Sequence, residues 1–436
     1  MSAVDRKLLA RSTIIAALIF SLVLLAAAGA ALAQAPAKKR VNVAVWGQFV
    51  ETGGPQPNLQ ELLKEFNRPD IEVTLSVIPG QPEEHAEKIL VMLATLGPDA
   101  PDLFVVEPKD ASTIYARGVA LDLGPFLQSD PDFAYEVIFV DEYDGRVLGI
   151  PGSVVIQPLA YNAAAIDAAG LVDPNVLFQD GQWTQEMFAQ QATRLTQRVG
   201  NADLVQIGFI GTGTSPFNDW PFIWNFGGRV LSPDGRRALV NSEETIAAYE
   251  WMVDQVVRDA LVIADFEARG TYERAFAGDV VFGQGSPTLY HLGLFPYLPE
   301  FVPQPSGPAG RHTLAGLQPW IIQAGASHPD AAWEVLKFIV AAQSEYQMMR
   351  LGAIPNQRSL VGTHIQLQAS YGQQRTPVEA VWNETMLTLT PKPRYLKPEI
   401  YNILTRWTVD ILAGTVGVGE ALAEAARQIN AILAEL

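Results

Sequence analysis

Five histidines, at positions 85, 291, 312, 328 and 364, are the first residues to test for chemistry, and no two are spaced as a metal-binding His pair would be. The reading is therefore no metal site. Gly283-Gln284-Gly285-Ser286 and Gly211-Thr212-Gly213 are rich in glycine but lack the Walker lysine and the dinucleotide spacing, and no Gly-x-Ser-x-Gly elbow occurs. Glu107 with Asp110, or Glu243 with Glu244, offer the paired carboxylates a glycosidase uses, though acids at helix starts fit these positions better. No catalytic residue and no cofactor is expected. The aromatic inventory is more informative, because several of the nine tryptophans fall outside helical stripes. Trp46, Trp220, Trp224 and Trp320 read as strand-end or Gly/Pro-loop residues, whereas Trp183, Trp251, Trp333 and Trp407 fit buried helix faces. A sugar ring has an apolar C–H face and a rim of hydroxyls, so its binder needs flat aromatic surfaces together with amide and carboxylate groups. Gln48, Glu107, Gln284, Tyr290 and Arg358, beside the four loop tryptophans, supply both. For any single loop tryptophan, packing and ligand contact are equally good readings.

Elements able to position these residues follow from periodicity. Val41 to Gly47 is a mostly apolar run suited to a strand covered on both faces, and Asn58 can cap a helix with Leu59, Leu62, Leu63 and Phe66 on one face. Ile71 to Ile78, Glu83 to Leu96 and Leu103 to Val106 continue as strand, helix and strand, which predicts βαβ crossovers. Ligands of such sheets sit beyond the carboxyl ends of the strands, which brings Trp46 to Phe49, Pro79 to Gln81 and Glu107 to Asp110 to one edge. Further on, Ser327 is expected to cap a helix with Pro329 in its first turn and Ala332, Val335, Leu336 and Ile339 as its buried stripe. The last helix buries Leu422, Ala425, Ala426, Ile429, Ile432 and Leu433.

Residues 1–33 read as a secretory signal peptide: Arg6, Lys7 and Arg11 precede an apolar stretch from Ile14 to Ala28, then Ala31-Leu32-Ala33. The apolar core is shorter than the ~20 residues of a spanning helix. With no cysteine in the chain, disulfides and a lipid-attachment cysteine are both excluded, and the expected location is the periplasm. Cleavage removes Arg6, Lys7, Arg11 and Asp5, a net +2, so the formal charge moves from −17 to −19. Such an acidic chain is not a nucleic-acid binder. Its length exceeds one hydrophobic core, so two domains are expected.

The segment from Glu142 to Leu171 reads as a strand leaving one domain for another: Tyr143-Asp144-Gly145, then Gly149-Ile150-Pro151, Tyr161-Asn162 and Ala169-Gly170-Leu171. Pro101-Asp102-Leu103-Phe104, Tyr115, Gly118 and Leu121-Asp122-Leu123 form a second group, and Gln182-Trp183-Thr184 with Phe188 a third. Asn225-Phe226-Gly227-Gly228, Asp234-Gly235, Asn241-Ser242, and Phe276, Gly278 and Asp279 to Phe282 follow. Ser327 to Phe338 and Gly352 to Pro355 complete the series. Taken in order, this set resembles extracellular solute-binding protein family 1, the maltose-binding-protein-like binders of carbohydrate ABC transporters.

The resemblance implies an α/β fold of two lobes, the type II periplasmic-binding-protein fold, with each lobe a mainly parallel sheet flanked by helices. It also implies three hinge crossings, near 149–156, 314–319 and 353–358. Residues 34–150 and 319–354 would form lobe 1, and 151–318 with 355–436 lobe 2. The implied function is capture of a sugar, oligosaccharide or polyol by a monomer that delivers it to permease subunits. A glycerol-phosphate-type ligand is the alternative within the family, and a secreted carbohydrate-active enzyme or a sensing receptor the alternatives outside it. Arg358, just past the third crossing, is where the family often places polar ligand contacts, and its fork suits two hydroxyls or a phosphate.

Overall fold

The computed structural model describes residues 38–52, 57–79, 85–95, 97–156, 158–199, 203–210, 216–233, 235–255, 280–284, 296–391 and 398–434. The expected signal peptide, Gln81, the glycine-rich 211–213 stretch, Phe276 to Asp279 and Tyr290 lie outside them, as does the side chain of Gln284. Two packing units are defined. In the first, Met1–Arg40 with Asn67–Glu72, the Lys39 N–H donates to the Asp70 carbonyl at 2.9 Å and Arg68 pairs with Asp70 at 3.1 Å. The second, Val41–Phe66 with Val73–Leu436, carries both lobes.

The chain begins as expected. β1 (Lys39–Trp46) is buried from Val41 onward, and Asn58 caps a short helix at Leu59–Leu62 by accepting the Glu61 N–H at 3.2 Å. β2 (Ile71–Ile78), α1 (His85–Thr95), β3 (Leu103–Val105) and α2 (Pro108–Ala116) alternate, and β1 and β3 pair in parallel. α3 (Pro131–Glu136) leads to β4 (Asp141–Tyr143), which turns into β5 (Arg146–Ile156) through Asp144 and Gly145, both at positive φ. That two-residue turn requires left-handed backbone at both positions, and Asp-Gly is a pair that tolerates it.

β6 (Leu159–Tyr161) follows within a few residues but belongs to a different sheet. α4 (Gln185–Leu195), β7 (Gln197–Val199), β8 (Asp203–Ile210), α5 (Pro216–Asn225), β9 (Val280–Gln284) and β10 (Glu300–Val302) continue that part. β11 (Thr313–Ile322) returns to the first sheet, and α6 (Pro329–Leu351), β12 (Ile354–Pro355) and β13 (Leu389–Pro391) come next. α7 (Val418–Leu433) closes the chain.

Two sheets result, one of eight strands with the path β12-β5-β11-β3-β1-β2 and one of five in the order β10-β6-β9-β8-β7. Both are mixed, not mainly parallel: β5–β11, β11–β3, β12–β5, β10–β6, β6–β9 and β7–β8 all run antiparallel. Parallel pairing needs a long crossover, and it is found where helices supply one, as between β1 and β3 or β8 and β9. Each lobe has its own core, one around Ala44, Phe104, Ile114 and Ile321, the other around Trp183, Phe188, Phe222, Phe282 and Ile429. A third cluster joins Val154, Ile156, Ala315 and Ile354 to Phe301 and Trp382.

Three local expectations change. Trp220 and Trp224 lie inside helix α5, not in a loop. Pro221 disguises that helix in the sequence, and burial of Trp220, Phe222, Ile223 and Trp224 offsets the roughly 3 kcal/mol an interior proline costs. The cap of α6 is His328 rather than Ser327, with Pro329 at the first helical position; the expected stripe of Ala332, Val335, Leu336 and Ile339 is fully buried. Trp320 sits within strand β11, opposite Val105 on one side and Ile150 on the other.

Candidate ligand-binding site

Gln48 follows the carboxyl end of β1 and Glu107 that of β3, strands that pair in parallel, and both are half-buried. Glu107 occupies the N-cap of α2, but its carboxylate does not cap the helix. It accepts instead from Gln318 Nε2 at 2.8 Å. Gln318 was not foreseen from the sequence, where a lone glutamine between Leu317 and Pro319 carries no signal. The pair forms a carboxylate–amide edge of the chemistry that hydroxyl groups require.

Behind this edge stands an aromatic group. Trp46 meets Phe49 at 4.8 Å and His85 at 4.9 Å between ring centres, and Phe49 meets Trp320 at 5.6 Å, all edge to face. Trp46 is 2% exposed, and among the described residues its indole N–H has no partner. Trp320 is 0% exposed and donates its N–H to Gln343 Oε1 at 2.6 Å. On the second lobe Trp220 and Trp224 lie 5.9 Å apart, and Trp224 faces His312 at 6.3 Å. His312 is held by its backbone N–H, donated to Asn225 Oδ1 at 2.8 Å, and by Thr390 Oγ1 2.8 Å from Nδ1. Burial, then the charge of Arg229, lowers its pKa. Trp224 and Trp320 thus belong to separate aromatic groups, both buried.

Arg358 is exposed. Its Nε donates to the Tyr135 carbonyl at 3.0 Å and its guanidinium lies 5.1 Å over the Tyr135 ring, while the Ser359 N–H donates to Glu136 Oε2 at 3.0 Å. The stretch after β12 is thereby fastened to α3.

His85, weighed in the sequence only as a possible metal ligand, is 1% exposed and opens α1. Among the described residues neither ring nitrogen has a hydrogen-bond partner, while the Val105 carbonyl favours the charged ring. Burial is the main cause that pushes its pKa from 6.5 to about 4; the carbonyl opposes the shift and Lys88 adds to it. A depressed folded-state value means that the unfolded chain takes up the proton first. Stability is therefore full above about 6.5 and falls as pH drops towards about 4, by up to about 3 kcal/mol. Urea titrations across that range are expected to show this slope, and His85→Phe to remove it. Equal slopes in parent and variant would count against the assignment.

Among the described residues no group of three or more His, Asp and Glu side chains could hold a metal, and no helix is long and apolar enough to cross a membrane. Two sheet-centred lobes, with the chain leaving the first sheet after β5 and returning to it at β11, make a two-lobed architecture. The chain belongs to the bacterial extracellular solute-binding proteins, whose family model matches residues 52–346. Among solved structures, an ABC substrate-binding protein of Listeria monocytogenes in complex with cycloalternan is similar, with 17% identity, a TM-score of 0.69, and 91% of this chain and 99% of that one covered. UgpB from Mycobacterium tuberculosis in complex with glycerophosphocholine shows 19% identity, a TM-score of 0.70 and coverage of 92% and 99%. The cyclic alpha-maltosyl-1,6-maltose binding protein of Arthrobacter globiformis shows 17% identity, a TM-score of 0.69 and coverage of 91% and 99%. No curated protein sequence matches significantly.

Proposed function

We propose that this chain is the extracytoplasmic substrate-binding component of an ABC importer, taking up a sugar, oligosaccharide or polyol between its lobes and handing it to permease subunits. The observation that carries this reading is the passage of the chain from one sheet to the other after β5 and back at β11, in a chain of the solute-binding family. Sugar-type ligands in two of the similar structures support the ligand class. The protein works as a monomer in the periplasm after removal of residues 1–33, and it binds without catalysis. Gln48, and Glu107 with its partner Gln318, take ligand hydroxyls. Trp46 and Trp320 back them, and Gln284, Tyr290, Trp220, Trp224 and Arg358 complete the set from other segments. A glycerophosphodiester is the second reading, supported by the glycerophosphocholine complex of a similar fold. The Glu107 carboxylate argues against it, since it would repel a phosphate at that edge.

Lobe 1 is residues 34–150 with 319–354, and lobe 2 is 151–318 with 355–436. The bonds from Arg358 and Ser359 to α3 support carrying the third boundary a few residues later. Calorimetric titration with a panel of oligosaccharides, polyols and glycerophosphodiesters tests the reading, with scattering measured at saturation. Stoichiometric capture, an unchanged ligand and a smaller radius of gyration are expected, because closure brings the lobes together. Turnover of any panel member would overturn it.

A further inference from the structure

The eight-stranded sheet is interrupted in its middle. β5 and β11 pair from Ile150–Trp320 through Pro151–Pro319 and again from Val154–Leu317 to Ile156–Ala315, with a register shift between Leu317 and Pro319. Two prolines face each other at the shift, and neither has an N–H to give the ladder. The interruption divides the sheet by company. On one side Trp320, Ile321 and Ile322 pair with β3. On the other, Thr313 to Ala315 pair with β13, and Ser153 and Val154 with β12.

Across this break α6 lays a row of buried polar side chains. Ser344 Oγ donates to the Gly152 carbonyl and accepts the Asn356 N–H at 3.0 Å. Gln347 Oε1 accepts from Ser153 Oγ, and Gln343 Oε1 from the Trp320 indole at 2.6 Å. Gln343 also presses so close to Gly152 that a Cβ there would lie 2.1 Å from its Oε1. Asn356 Nδ2 donates to the Pro151 carbonyl at 2.5 Å. One helix face therefore holds all three segments where each carries a proline: Pro151, Pro319 and Pro355.

The resemblance puts two of the hinge crossings at this break; we infer that Gln343, Ser344 and Gln347 of α6, with Asn356, form a polar latch across it that supplies hydrogen bonds where the prolines have no donor and limits the swing between the lobes. The inference rests on the two-lobe division proposed above, but not on the ligand. A ladder without donors bends easily, whereas buried polar contacts have discrete partners and hold a preferred angle. Gln343, Ser344 and Gln347 are positioning residues in this scheme.

The absence of cysteine makes the test direct. Spin labels at Glu87→Cys on α1 and Glu186→Cys on α4, both exposed, report the distance between lobes in the ligand-free protein; Glu87→Cys with Asp132→Cys on α3 reports within lobe 1. Ser344→Ala is expected to widen and shift the interlobe distribution while the lobe 1 distribution stays as in the parent. If Ser344→Ala does not fold, Gln343→Met, which keeps the side-chain volume but not the acceptor, decides in the same measurement. An interlobe distribution that superimposes on the parent's, or equal widening within lobe 1, overturns the inference. Because no ligand is added, this result is separate from whether the cleft binds sugars.

Discussion

Trp320→Ala lowers the unfolding free energy by about 3–5 kcal/mol in the absence of ligand, as expected for truncation of a fully buried tryptophan. The ring is 0% exposed, packs edge to face on Phe49, and stands between Val105 and Ile150 in neighbouring strands. Its N–H is also donated to Gln343 Oε1, so truncation leaves a cavity and removes that hydrogen bond. Trp320→Phe separates the two contributions: most of the apolar contact remains, and the loss of the buried hydrogen bond costs about 1 kcal/mol. Urea unfolding of the two variants, with ligand titration alongside, decides the role. Parental stability with lost affinity would move Trp320 from the core to the ligand; the same pair of measurements on Trp224, 6% exposed, applies the test to the other lobe.

The contrast between these tryptophans shows where sequence reading works. Trp333, assigned to the core from helical spacing, is buried on α6; Trp183, assigned likewise, is buried but precedes the Thr184 cap of α4, and Trp251 and Trp407 are only partly buried. Periodicity is local, so it survives without knowledge of the fold. The same holds for the opening strands and helices, the Asp144-Gly145 turn and the buried stripe of α6. Helix α5 was missed because a proline inside it reads as a loop, and only tertiary burial offsets that cost. Strand direction was misjudged because pairing depends on which segments return, which spacing along the chain does not encode. Of the expected site, the position of Gln48 and Glu107 just past the carboxyl ends of β1 and β3 was legible from the strand pattern. Gln318, Gln343 and Asn356 were not: the partners of Asn356 are up to 218 positions away in the chain, so an isolated amide in the sequence gives no hint of them.

Asn356 carries the second large effect. The side chain is 0% exposed and serves four backbone groups: Oδ1 accepts from Ile138 N–H at 3.1 Å and Phe139 N–H at 2.7 Å, and Nδ2 donates to the carbonyls of Phe139 at 2.9 Å and Pro151 at 2.5 Å. Each buried group left without a partner costs about 1–3 kcal/mol, and water reaches some of them, so Asn356→Ala is expected to lose about 3–5 kcal/mol in urea unfolding. Asn356→Asp discriminates further. It keeps both acceptors but turns a carboxylate towards the Phe139 and Pro151 carbonyls, which disfavours the charged form and raises its folded-state pKa. A raised carboxyl pKa means that the folded state holds the proton after the unfolded chain has released it. The variant should therefore lie nearest the parent in acid and fall progressively behind as pH rises towards neutrality. Unfolding curves for Asn356→Ala and Asn356→Asp at acid and neutral pH measure both effects. A loss below about 1 kcal/mol for Asn356→Ala would mean that its four partners find other bonds at little cost; a pH-independent deficit for Asn356→Asp would mean that the new carboxyl turns out to solvent.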